Sequence, residues 1–143
     1  MPQAKWIILA IVVLGAALFG LKAYFAIVAN ARVTHELRDD PQGERAALAM
    51  LLTFPDGRMF PVNYLREGKL VFAGSDGRWW REFREGNVPV TVEIRGEVFS
   101  GKASVVLDDP DYTRDVFKRL RPNVPKWLPL WLDAYLVVIE LDL

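Results

Sequence analysis

The chain has 143 residues, 18 basic and 18 acidic side chains, and no cysteine. That length suits one ordinary domain, or a smaller domain with an appendage. The lack of cysteine excludes a disulfide framework, a thiolate metal site and a cysteine nucleophile; a lone histidine, His35, excludes a site needing two imidazoles; the neutral balance gives no support for nucleic acid as a partner, since such binders normally carry a basic excess.

The appendage comes first. In residues 6–29, "WIILAIVVLGAALFGLKAYFAIVA", Lys22 is the only charge. As a helix this run reaches about 36 Å, enough for a hydrocarbon core of about 30 Å, and a helix satisfies its own backbone groups there. Lys22 can snorkel to the headgroups, and Trp6 and Tyr24 suit the two interfaces. "ANA" at 29–31 has the small residues of a signal-peptide cleavage site, but the apolar run is longer than a signal core. An uncleaved single-pass transmembrane helix is expected over residues 1–31. Lys5 precedes it, while Arg32, Arg38 and Arg45 follow, so the basic bias puts the C-terminal side in the cytoplasm, at a bacterial inner membrane.

Residues 32–46 are polar and broken by Pro41 and Gly43; they read as a helical extension followed by a linker. His35, within them, reads as a solvated side chain. From residue 47 the period changes to two. "ALAMLLTF" (47–54) is an apolar run of strand length, "PDGR" (55–58) a turn, and "MFPVNYL" (59–65) a strand in which Pro61 suggests an edge or a bulge. "REG" (66–68) turns again before "KLVFAG" (69–74), completing a meander.

Further on, Val90, Val92 and Ile94 alternate with Thr91, Glu93 and Arg95. "RGE" (95–97) makes a hairpin turn into a strand over 98–107, where Gly101 suggests a bulge. A helix is expected over 108–122, with Asp109 as cap, Pro110 in the first turn and Pro122 ending it. The last strand is "AYLVVIELDL" (134–143). The fold class is therefore mainly β, a six-stranded antiparallel split barrel over residues 47–143 with one or two helices, preceded by the transmembrane helix.

Two stretches carry the candidate chemistry. "GSDGRWWREFREGN" (74–87) combines a glycine-flanked turn with two tryptophans and three arginines. Ser75 and the amides of Asp76 and Gly77 could form an anion nest. Arg78, Arg81 and Arg84 are three apart and share a helix flank, where they could neutralise phosphates; Trp79 or Trp80 could stack on a flat ring. The plainer alternative has Trp80 and Phe83 plugging the barrel and the arginines forming a solvated face with Glu82 and Glu85. "PNVPKWLPLWL" (122–132) is either a loop over the barrel's end or an exposed apolar surface for membrane or protein contact through Trp127 and Trp131.

Three patterns, in this order and spacing, resemble the deazaflavin-dependent nitroreductase family of flavin-binding split barrels: "RMFPVNY" (58–64), "LVFAGSDG" (70–77) and "NVPVTVEIRG" (87–96). The resemblance implies a barrel holding deazaflavin or FMN along its side, with Arg58 and Ser75 matching positions that hold the phosphate tail and Trp79 or Trp80 near an aromatic position. The first turn is shorter than the family's, and Asp76 stands where a lysine is usual, which puts a carboxylate beside the expected phosphate.

Two functions of different class follow. The first is a membrane-anchored oxidoreductase that uses deazaflavin or FMN to reduce a lipophilic acceptor such as a quinone, with Arg58, Ser75, Gly77, Arg78, Trp79, Trp80 and Arg81 as cofactor-binding residues; in such hydride chemistry the cofactor carries the reaction. The second is a non-catalytic accessory subunit of a larger membrane complex, respiratory or photosynthetic in type. Its helix would pack on other membrane helices through Gly15, Ala16, Ala17 and Gly20.

Overall fold

The computed structural model describes residues 2–124, 127 and 134–143. Helix α1 (Pro2–Asp39) has 38 residues, about 57 Å of rise. It runs without a break through the expected end of the apolar segment, and it is long and apolar enough to cross a membrane. Leu37 is its one buried residue.

A short helix α2 (Glu44–Leu48) follows, then strands β1 (Ala49–Thr53), β2 (Met59–Glu67), β3 (Leu70–Ser75), β4 (Val88–Ile94), β5 (Glu97–Val106) and β6 (Tyr135–Leu141). Helix α3 (Pro110–Leu120) precedes β6, and a 3₁₀ turn (Trp79–Phe83) lies between β3 and β4. Every pairing is antiparallel, and the order β1-β2-β3-β6-β5-β4 closes through β1 against β4. The expected six-stranded antiparallel barrel is the observed fold.

The barrel interior takes one residue in two from each strand. Met50 and Leu52, Val71 and Ala73, Val90, Val92 and Ile94, and Val137, Ile139 and Leu141 form one buried cluster with Phe54, Trp80, Phe83 and Ala103. The opposite faces explain the runs that do not alternate. In β1 the outward Ala49 and Leu51 pack with Leu37, Ala46 and Val33, so α1 and α2 cover the strand. A strand buried on both sides reads as continuously apolar. Likewise Phe72 and Leu136 meet Val116 and Phe117, which seats α3 on the outside of β3 and β6. Asp109 caps α3 by accepting from the Tyr112 amide at 3.1 Å, with Pro110 in the first turn.

Two expectations change, and for Pro61 the edge, not the bulge, is observed. Residues 47 and 48 belong to α2, not to a strand: "ERAAL" consists mostly of helix formers, and Ala46 gains burial against Leu37. Gly101 marks no bulge, since its register is continuous with Val90 on one side and Leu141 on the other. It marks close approach instead: a Cβ there would lie 2.8 Å from the Glu140 carbonyl oxygen. Pro61 likewise sits in unbroken register with Leu51. It is accommodated because its other side carries no strand partner: β2 pairs with β3 only from Tyr64 to Glu67.

Candidate site at the open seam

That early end of the β2–β3 ladder creates the site. Met59 to Asn63 pair only with β1, and Gly74 and Ser75 only with β6, so the barrel wall parts between them. The parting is a groove of about 420 Å³. Phe60, Pro61, Val62 and Asn63 form one bank; Gly74, Asp76, Gly77 and Trp79 form the other; Asn30 of α1 and Arg121, just past α3, also line it.

Of these residues Arg121 is the cation and Asp76 the anion. Arg121 donates to both oxygens of Asp76, Nη1 at 2.8 Å and Nη2 at 3.0 Å, and Nη2 reaches the Gly74 carbonyl at 3.4 Å. Its guanidinium lies over the Phe117 ring, 5.4 Å from the centroid, within the reach of about 6 Å for such stacking. Its side chain is only 19% exposed, whereas that of Asp76 is 69% exposed. Trp79 presents an aromatic wall, held edge-on by Phe54 and Phe83 at 6.0 Å each.

The residues singled out from sequence divide around this groove. Gly77 and Trp79 line it. Ser75 is buried in β3 and donates its hydroxyl to the Gly77 carbonyl at 3.2 Å, which shapes the turn. Arg58 is held by carboxylates on both sides: Asp56, whose Oδ2 accepts from Nε at 2.6 Å, and Glu82. Glu82 first, then Asp56, holds the guanidinium above its ordinary pKa, while the Arg58 amide and guanidinium hold the Asp56 carboxyl below its own. Trp80 is buried and stacks on Tyr135 with ring centroids 4.0 Å apart. Arg78 and Arg81 are exposed and do not line the groove.

Sequence reasoning missed Arg121, and with it the donor that compensates Asp76. The pair spans 45 positions, and no local pattern links "SDG" to "RLRP". In the plainer alternative, Arg78, Arg81 and Arg84 would face Glu82 and Glu85; among the described residues they form no ion pairs with them, and Glu82 turns to Arg58. Trp127 is 80% exposed, while Trp131 lies outside the described residues. His35 pairs with Asp39 at 2.9 Å on the exposed side of α1.

The groove offers a flat ring an aromatic wall in Trp79. It offers an anionic tail Arg121 in exchange for Asp76; the expected cradle of Arg58 and Ser75 is engaged within the chain.

No family model and no curated relative matches the sequence. Among solved structures, the chain is similar to a Listeria innocua protein provisionally assigned as a pyridoxamine 5'-phosphate oxidase. Identity is 15%, coverage 67% of this chain and 85% of that one, and the TM-score 0.53. An F420 reductase matches at 13% identity, covering 67% and 87%, with a TM-score of 0.43. At such identity the first likeness establishes the fold, a split barrel.

Proposed function

We propose that the chain is a membrane-anchored split barrel of the flavin- or deazaflavin-binding type, with α1 crossing a bacterial inner membrane and the barrel on its cytoplasmic side. Residues 1–31 form the anchor, 32–46 the connection and 47–143 the binding domain. The observation that carries the reading is the groove at the parted seam, walled by Trp79 and holding Arg121. Fold likeness to a protein assigned as a pyridoxamine 5'-phosphate oxidase supports the same ligand class.

The bound cofactor would supply hydride transfer. The chain's own residues bind and orient: Trp79 offers a face to the ring, and the Arg121 fork offers two parallel donors to an anionic group, the geometry such forks favour. A second groove of about 490 Å³ adjoins the first and shares Asn30, Phe60 and Pro61 with it. It begins at Ile27, inside the apolar run, and continues past Thr34 to Arg38. A lipophilic acceptor such as a quinone would reach the seam along this path.

The test is spectroscopic. The full chain, purified gently, is titrated with FMN and with a deazaflavin while visible absorbance and tryptophan fluorescence are recorded. Binding should occur, weaken on Arg121→Ala and lose its ring-stacking signature on Trp79→Ala. Lack of binding by either cofactor would remove this reading.

A second reading is favoured by the engaged state of Arg58 and by the Asp76–Arg121 pair. It makes the chain a non-catalytic accessory subunit of a membrane complex, with α1 and the exposed Trp127 as contact surfaces. Mild-detergent extraction should then recover stoichiometric partners, whereas a clean monomer counts heavily against it.

A further inference from the structure

The 3₁₀ turn arranges three arginines in a row. The Arg81 amide donates to the Arg78 carbonyl at 3.1 Å, and the Arg84 amide to the Arg81 carbonyl at 3.4 Å. Both flanking residues, Arg78 and Arg84, keep right-handed helical backbone angles. With three residues per turn, side chains at i and i+3 eclipse, so 78, 81 and 84 stack in one column, about 6 Å apart along the axis.

These cations are exposed and carry no carboxylate partner among the described residues. The nearest acid in sequence, Glu82, is committed to Arg58; Glu85 makes no ion pair among the described residues. Arg81 and Arg84 lie 5.7 and 5.0 Å from the Trp80 ring centre, an arrangement that restrains their side chains without neutralising them. Holding like charges side by side is unfavourable unless an anion answers them.

The turn that carries the row borders the groove that α1 reaches at Asn30. Trp79, between Arg78 and Arg81 in the chain, lines the same groove as Asn30, the first residue after the apolar run. We propose that Arg78, Arg81 and Arg84 form a contact ridge for anionic phospholipid headgroups, resting on the leaflet from which α1 emerges. The proposal depends on the membrane-anchored reading. Charge complementarity and this placement favour lipid as the occupant over an acidic protein surface.

The chain has no cysteine, so Glu85→Cys gives a single site for a nitroxide label on the full chain. The labelled protein is placed in nanodiscs of phosphatidylcholine alone, or of phosphatidylcholine with phosphatidylglycerol, each doped with a headgroup-borne nickel chelate. Relaxation of the label should be strong in the anionic discs and weak in the neutral ones. Each arginine changed to glutamine should lower the bound-to-free ratio about fivefold, and high salt should abolish the difference. The triple Arg→Lys variant, with its charge retained, should keep the contact and thereby exclude misfolding as the cause of its loss. Equal relaxation in both discs, or a signal unchanged in the triple glutamine variant, would overturn the ridge. So would a lipid-independent signal that appears only with a copurified acidic protein. Failure of the chain to float with phosphatidylcholine vesicles would strike the anchor reading instead.

Discussion

Arg121 places both terminal nitrogens on the Asp76 carboxylate, and the pair ties the end of α3 to the turn after β3. The pair also occupies the one cation that lines the seam groove among the described residues, so an anionic ligand must compete with Asp76 for it.

Asp76→Asn should therefore tighten binding of FMN by about tenfold, equivalent to about 1.4 kcal/mol, while Arg121→Ala weakens it. Fluorescence titration measures both. Tighter binding in the asparagine variant is the informative outcome, since general damage to the turn would weaken binding instead.

Glycine positions provide a contrast in stability. A Cβ at Gly101 meets the Glu140 carbonyl oxygen at 2.8 Å and the Ile139 Cγ2 at 3.0 Å, so β6 must move. Gly101→Ala should cost about 1–3 kcal/mol, as overpacking typically does. At Gly77 the nearest atom is Trp79 Cδ1, at 3.6 Å, and alanine there should stay within about 0.5 kcal/mol of the parent. Urea denaturation of the two variants checks the difference.

Phe83 is fully buried and stacks on Phe54 with ring centroids 5.3 Å apart. Phe83→Ala should destabilise the barrel by about 3–5 kcal/mol, read as a lower denaturation midpoint. Arg81→Ala, two positions earlier and exposed, should leave the midpoint nearly unchanged.

Acid should act through Asp56. Its folded pKa lies below the ordinary value, so its contribution is present above the unfolded pKa and is lost as pH falls through the folded one. The stability curve should decline below about pH 4, and Asp56→Asn should flatten that part of it. The group is exposed, so the change will be small. Melting temperatures recorded between neutral and acid pH test the sign.

What the sequence disclosed follows the range of the forces involved. The β4–β5 hairpin was readable because Val90, Val92 and Ile94 alternate and Arg95-Gly96 turns with both φ values positive. The cap at Asp109 was readable because capping acts within three residues. Pairings across many positions left no local trace. Thus Arg58 and Ser75, matched by resemblance, are engaged by Glu82, Asp56 and Gly77, whereas Arg121, which the pattern did not mark, lines the groove. Gly101 was noticed, but the reason for it lies in the neighbouring strand, beyond the reach of periodicity.

Helix α1 has no hinge before Asp39, and Val33 and Leu37 near its end are clamped to the flank of β1. With α1 spanning a bilayer, as proposed, the barrel would be less a buoy on a rope than a turret on a mast: whatever leaned the mast, whether a thicker bilayer or a neighbouring helix, would also re-aim the opening at the seam.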